Sequence, residues 1–481
     1  MPKPTNSRCT PAATRKTEGR AATRAGVAAA ALVLAAALSR AQEALSPAVA
    51  TAEAPPSPPT EPPASSPPEE RFDAHFQFTS VTQYHPGFPA LYSGQNSLDP
   101  EAEHATTVTA TLFLGVRLWK GAELYLNPEM SGGRGLSSTF GIAGFPNGDA
   151  FRVGSPEPHV YIARAMLKQT FPLAGETEPV EDGPNQLGGT RPVRRWTITV
   201  GKFGLSDFFD ANPYSGDARS QFMNWAAWTA GAWDYAADTR GYTYGFVIER
   251  YDADWAARFA GAAEPLVANG EQLDHDLLHS YSLTAEYERG YTLAGNQGTA
   301  RLLFFYSRAN MGNYDEANAI AEATGEPADI VATRQVGRTK WGFIVNADLS
   351  LGGPWGLFFR GSYNDGANES WAYAEIERSV STGVLRKGPF AGRPNDEAGL
   401  ALMVNGLGAG HREYLALGGY GFMIGDGRLN YGLETIVEIF YQAALVEHLW
   451  FAADYQFVAN PAYNRDRGPV NILGARLHVE F

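Results

Sequence analysis

The sequence predicts an all-β protein: a transmembrane antiparallel β-barrel of about sixteen strands, with long extracellular loops of which one or more fold into the lumen. Three observations predict it. Strand-length segments alternate apolar and polar residues along most of the chain. Charge stays on one face of each segment, and short connections take turns with long ones.

The last segment, 471–481 (NILGARLHVEF), shows the pattern without a break. Leu473, Ala475, Leu477, Val479 and Phe481 fall on one face, and Gly474, Arg476, His478 and Glu480 on the other. One apolar face and one charged face fit a wall between lipid and water, and a terminal aromatic residue agrees with it. A soluble sandwich can hold one such strand, so the argument rests on recurrence.

Composition limits the alternatives. A mean hydropathy of -0.25 excludes a helical membrane bundle, whereas a spanning strand needs only half of its residues apolar. The formal charge is -14, and seven of the basic residues lie in 1–41, so the remainder is more acidic still. That balance excludes a nucleic-acid partner, whose phosphates demand clustered Lys and Arg. The single cysteine, Cys9, lies in the same leader and leaves the rest of the chain without disulfides or Cys-based sites.

Residues 1–41 have a basic start, an apolar run at 25–38 and a small-x-small end at Ser39-Arg40-Ala41, which reads as a signal peptide cleaved near Ala41. Residues 42–71, rich in Ala, Pro, Ser and Glu, read as a disordered periplasmic linker of polyproline II character. The barrel domain is expected over 72–481. Val108, Ala110, Leu112, Leu114, Val116 and Leu118 line the outer face of an early strand, and Thr107, Thr109, Thr111, Phe113, Gly115 and Arg117 its inner face. Further apolar rows are Trp196/Ile198/Val200, Tyr242/Tyr244/Phe246/Ile248, Trp341/Phe343/Val345/Ala347/Leu349, Leu433/Thr435/Val437/Ile439/Tyr441 and Phe451/Ala453/Tyr455/Phe457. A Lys or Arg at the lipid midplane costs about 2 to 4 kcal/mol, which accounts for the one-sided charge. Short turns are expected at 119–121, 251–254, 352–354 and 442–446, and long loops at 85–103, 130–157, 203–239, 309–338 and 364–395. The Pro/Gly-rich stretch 172–192 falls where a short turn is due.

Two loop blocks, 130–154 (MSGGRGLSSTFGIAGFPNGDAFRVG) and 201–245 (GKFGLSDFFDANPYSGDARSQFMNWAAWTAGAWDYAADTRGYTYG), together with 83–98 (QYHPGFPALYSGQNSL) and 455–460 (YQFVAN), resemble the carbohydrate-selective porins of the OprB family. The resemblance implies a sixteen-stranded barrel in the outer membrane of a Gram-negative bacterium. It also implies passive diffusion of small sugars, such as the monosaccharide glucose, through a lumen narrowed by a folded-in loop.

Sugars offer hydroxyl pairs to Arg, Asp and Glu, and C–H faces to aromatic rings. Trp225, Trp228 and Trp233 beside Asp207, Asp210, Arg219, Asp234 and Arg240 make such a mixture. Phe222, Trp225 and Trp228 share a face if Asp217 caps a short helix through Trp228; the stripe then either stacks on sugar or packs the loop against the wall. Glu123, Tyr125, Asn127 and Glu129 alternate inward, and Arg117, Glu129 and Arg134 are constriction candidates, against the reading that each is only a solvated lumen charge. Arg301, Asp348, Arg360 and Arg476 are read as wall. Glu434 and Glu438 share a strand face without the opposed geometry of a glycosidase and read as lumen lining. His279 falls on the apolar face of a strand beginning there, and His275 with Asp274 and Asp276 reads as a loop tip, so the group is not read as a metal site. No catalytic residue, metal or cofactor is assigned, and no phosphate loop, dinucleotide fingerprint or nucleophile elbow is present. The expected partners are small sugars, outer-membrane lipids and two further copies in a homotrimer. Two other classes remain open: a general ion or small-solute porin of the same fold, and a secreted β-rich hydrolase.

Overall fold

The computed structural model describes residues 69–373 and 375–481. The expected signal peptide and all but the last three residues of the expected linker lie outside the described residues. The strands in chain order are β1 (Phe72–His85), β2 (Glu103–Trp119), β3 (Ala122–Gly133), β4 (His159–Pro172), β5 (Thr177–Val180), β6 (Gly189–Pro192), β7 (Arg195–Phe203), β8 (Thr243–Tyr251) and β9 (Trp255–Ala263). They continue as β10 (Tyr281–Leu293), β11 (Asn296–Ala309), β12 (Arg338–Ser350), β13 (Trp355–Asn364), β14 (Arg378–Lys387), β15 (Glu397–Gly406), β16 (Glu434–Val446), β17 (Leu449–Ala459) and β18 (Val470–Glu480).

All but β5 and β6 pair antiparallel with their neighbours into one closed barrel of sixteen strands. Closure is required because an unpaired strand edge in hydrocarbon leaves a row of N–H and C=O groups with no partner. The seam joins β1 to β18, with Gln77 opposite Glu480 and Tyr84 opposite Leu473.

The expected alternation sets the two faces. Thr107, Thr109, Thr111 and Phe113 of β2 are buried in the lumen, while Leu112, Leu118 and Trp119 face outward. Outward Trp119, Phe171, Trp196 and Trp355 cluster at the ends of strands that meet short turns, as expected of rings that sit at a membrane interface. Tyr242 departs from its expected row. β8 begins one residue later, so Tyr242 belongs to the preceding loop and turns into the lumen, where it is buried. β16 also runs through Val446, which leaves 447–448 as its turn.

The stretch 172–192 keeps the parity and fills its short-turn position with the separate β5–β6 hairpin. Its tip reaches back to the inner wall: Leu187 N–H donates to the Tyr125 hydroxyl at 3.4 Å and Arg117 donates to the Gly188 carbonyl at 3.4 Å.

Loops 134–158 and 204–242 fold into the barrel and, with 365–377, fill much of it with apolar side chains. Phe222 packs edge-on against Phe440 and tilted against Phe358, so this member of the expected stripe packs on the wall. Loop backbone buried in a barrel needs hydrogen-bond partners, and inward wall side chains provide them. Arg360 donates to Asp210 Oδ1 at 3.0 Å and to the carbonyls of Ser215 and Ala227 at 2.6 and 2.8 Å. Arg476 donates to the carbonyls of Ala218 and Gln221 at 2.8 and 2.7 Å. Glu438 accepts the N–H groups of Met223 and Asn224, and Glu434 those of Ala143, Gly144 and Ala462. Of the positions read as plain wall or lumen lining, Arg360, Arg476, Glu434 and Glu438 are therefore loop anchors, whereas Arg301 stays on the wall, paired with Asp348 at 2.7 Å and Glu288 at 2.8 Å.

Arg360→Ala removes four loop hydrogen bonds and strands the Asp210 carboxylate without its guanidinium partner. Breaking a buried pair from one side costs about 3–5 kcal/mol. The expected result is a lower thermal midpoint in heat-modifiability gels together with larger, noisier single-channel current, because loop 204–242 loosens while the wall remains closed.

Candidate functional site: a constricted, aromatic and charged lumen

A cavity of about 320 Å³ lies where loops 134–158 and 204–242 face β1 to β4. Its polar side is organised by Arg219. The Arg219 guanidinium donates from Nε to Asp149 at 2.8 Å and from Nη1 to Gln77 at 3.0 Å, and its Nη2 lies 3.3 Å from Glu129. Glu129 is buried and also accepts from the hydroxyls of Thr111 and Tyr242, at 2.6 and 2.9 Å, and from Tyr161. Each carboxylate oxygen therefore has donors, which is the condition for holding a charge in a narrow lumen. At the lower edge Arg164 grips Asp207 bidentately at 2.7 and 2.6 Å.

The apolar side is aromatic. A single helical turn, Trp225–Trp228, starts at Asn224, whose side chain accepts the Ala226 N–H. Asp217, the expected cap, instead accepts from Arg219 N–H in the preceding turn, because Asn224 alone is tied at the right point, donating to the Gly144 carbonyl and to Gln456. The three-residue spacing puts both tryptophans on one side of the turn. Trp225 stacks on Phe145 at 5.0 Å and lies 5.1 Å from Tyr373, and Trp228 stands perpendicular to Trp225 at 5.3 Å. Gly148 makes room for this: a Cβ there would fall 2.0 Å from Trp228 Nε1.

Five of the nine sequence-chosen residues line this cavity: Glu129, Asp207, Arg219, Trp225 and Trp228. The other four do not. Arg117 lines a second cavity of about 510 Å³ toward the short-turn rim, paired to Glu69 at 2.6 Å, because its strand position lies too near that rim. Arg134 bonds the Gly154 carbonyl and sits over Phe151 at 5.0 Å, outside the cavity lining. Trp233 is fully buried between Phe209 and Tyr235, where it packs the loop. Asp234 ties two loops together: it pairs with Lys340 at 3.1 Å and accepts the N–H groups of Trp371, Ala372 and Tyr373. His275 and His279 lie on an exposed loop, with His279 bound to Asp276.

Sequence reading missed Tyr161, Arg164 and Tyr242. Pro128 lies within β3 and the register against β4 slips there, so that Asn127 faces Arg164 while Pro128 faces Ile162, with Ala163 extra. Proline has no N–H for the ladder and marks bulges, and a bulge resets the period of two. Tyr161 and Arg164, three apart, thus both reach the lumen. Pro128 was the available signal.

Asp207 lines both cavities, which therefore adjoin beside the Arg164–Asp207 pair. A closed β-wall, apolar outside and polar inside, around two adjoining lined cavities defines a membrane channel. The model of the family described as "Carbohydrate-selective porin, OprB family" matches residues 95–481, and the chain belongs to that family. Its place is accordingly the outer membrane of a Gram-negative bacterium. Among solved structures, that of Pseudomonas putida OprB at high pH is similar over 85% of this chain and 94% of its own, with a TM-score of 0.63 and 15% identity, which supports the fold. Weaker likenesses are the low-pH structure of the same protein (TM-score 0.45, 12% identity, 85% and 93% covered) and the channel DcaP of Acinetobacter baumannii (0.45, 12%, 85% and 97%). No curated protein matches the sequence.

Two outcomes are expected from these geometries. Glu129→Gln removes a negative charge from the lining of the 320 Å³ cavity while Arg219 remains, so the cation-to-anion permeability ratio, read from reversal potentials in a salt gradient, should fall several-fold. The second concerns Asp234, in loop 204–242. Burial pushes its carboxyl up, but the Lys340 ammonium and three backbone N–H groups outweigh burial and hold it below the ordinary aspartate range. A depressed value gives stabilisation that is present at neutral pH and lost as pH falls through it. Current noise should therefore stay flat from pH 8 to about pH 4, the ordinary aspartate value, and rise only below it. Asp234→Asn should be noisy at pH 7.

Proposed function

We propose that the protein is a passive, sugar-selective porin that admits small sugars, glucose-sized monosaccharides among them, into the periplasm. One observation carries this reading: the 320 Å³ cavity is lined both by the aromatic Trp225 and Trp228 and by the Arg219–Glu129–Asp149 cluster and the Arg164–Asp207 pair. Aromatic faces take the C–H side of a pyranose, and planar guanidinium and carboxylate groups take adjacent hydroxyls in pairs. The volume lies at the small end of ligand sites, which span about 300–1,000 Å³. Membership in a family of carbohydrate-selective porins supports the same substrate class.

In this reading the long loops face outside and the short turns face the periplasm. Residues 1–41 direct export and are removed, 42–71 tether the barrel, and 72–481 form the channel. The outward apolar face meets lipid and, in a trimer, two further copies.

Trp228→Ala keeps the packed Trp225 and removes one stacking surface. In liposome swelling with neutral sugars and size-matched polyols, the native protein should admit sugars several-fold faster than polyols of equal size, and the variant should lose that preference while admitting both faster. Entry governed by size alone in both proteins would make it a general porin.

A further inference from the structure

The insertion 173–194 lines the second cavity but takes no part in the constriction, and one residue in it has unexplained company. Asp182, between β5 and β6, meets the inner face of β1 at Asp73 and His75. One imidazole nitrogen and two carboxylate oxygens from these residues all lie within 4.8 Å of one another. Asp182 Oδ1 is 3.0 Å from His75 Nε2. Asp73 Oδ2 is 4.0 Å from the same nitrogen, too far for a hydrogen bond.

The Asp73 side chain is itself buried, only 3% exposed, and its Oδ2 has no hydrogen-bond partner. A buried carboxylate oxygen without a donor is costly. This one faces an imidazole nitrogen and a second carboxylate, a donor set that attracts a cation and that no other part of the lumen explains.

We propose that Asp73, His75 and Asp182 form a binding site for a divalent cation of the zinc class, which clamps the β5–β6 hairpin to the barrel wall. One nitrogen and two oxygens with a water complete a tetrahedron, with bonds of about 2.0–2.2 Å. Calcium and magnesium prefer six or more oxygens and do not use imidazole, so the His75 ligand selects against them. Bonds of that length put ligand atoms roughly 3.4 Å apart, so the three groups must draw together slightly. Asp182, 43% exposed on the hairpin, is the one free to move. Two carboxylates neutralise the cation, so a bound ion adds no net charge to this corner of the lumen.

The position gives the ion a mechanical role. The hairpin residues Val180, Gly183 to Leu187 and Thr190 form one side of the second cavity. Asp73 and His75 are the two inner-face residues before Gln77, which accepts from Arg219 at the constriction. A cation here fixes the hairpin across the short-turn mouth, one inner-face step from the Gln77–Arg219 contact.

The test titrates the purified full chain in detergent with Co2+ alone, read by visible d–d absorption, and with Zn2+ alone, read by calorimetry. His75→Ala and Asp182→Asn are compared with the native protein, and heat-modifiable gel migration verifies that each barrel is closed. Should His75→Ala fail to close, Asp182→Asn decides, since Asp182 lies outside the barrel wall. The expected result is one equivalent bound by the native protein and at least tenfold weaker binding by each variant. Absence of binding up to millimolar metal overturns the proposal, as does native affinity in Asp182→Asn, since the ion would then not involve the hairpin.

Discussion

Everything inside this barrel depends on how buried loop backbone finds hydrogen-bond partners. Loops 134–158 and 204–242 enter a space in which water is largely displaced, and each peptide group carried there needs a donor or acceptor. A β-wall cannot offer its own, because the ladder uses them all. The inner-face side chains offer them instead. Glu434 and Glu438 accept from five loop N–H groups, while Arg360 donates to the loop carbonyls of Asp210, Ser215 and Ala227 and Arg476 to those of Ala218 and Gln221, five in all. Long charged side chains suit this work because one guanidinium or carboxylate serves several backbone groups at once.

This requirement divides the lumen's charges into two populations. Arg360, Arg476, Glu434 and Glu438 are satisfied by loop backbone and hold the plug in place. Arg219, Glu129, Asp149, Arg164 and Asp207 are satisfied mainly by one another and by Tyr hydroxyls, and so remain presented to the cavity. The second population can exchange partners with a passing solute at small net cost, because a hydroxyl replaces a hydrogen bond of similar strength. The first cannot without loosening the loop.

The wall was legible in the sequence to a degree that the site was not. Period-two alternation is a local property, and it placed the inner and outer faces of β2, β12 and β18; the Pro/Gly-rich stretch 172–192 stood out only as too long for a short turn, and its β5–β6 hairpin was not expected. It failed where local geometry broke the period: the bulge opposite Pro128 brought Tyr161 and Arg164 inward together, and the late start of β8 turned Tyr242 from lipid to lumen. The anchoring of loops by Glu438 or Arg360 was beyond any local reading, since Glu438 and the Met223 N–H that it accepts lie 215 residues apart. The same holds for the tryptophans. Spacing showed that Trp225 and Trp228 share a side, but the separation of Trp233, packed, from Trp228, cavity-facing, is decided by Phe209, Tyr235 and Gly148 from distant or differently folded segments.

The seam between β1 and β18 has a consequence for the order in which this molecule can be assembled. Phe78 pairs with Val479, so the ring is sealed by the two strands farthest apart along the chain. Long-range pairing of this kind is slow, because the loop entropy must be overcome before the contact rewards it. Until the seam forms, both terminal strands expose bare edges, and the wall side chains that grip the loops are not yet arranged around a common interior. A chain stalled short of β18 would present an adhesive edge to its neighbours rather than a closed wall.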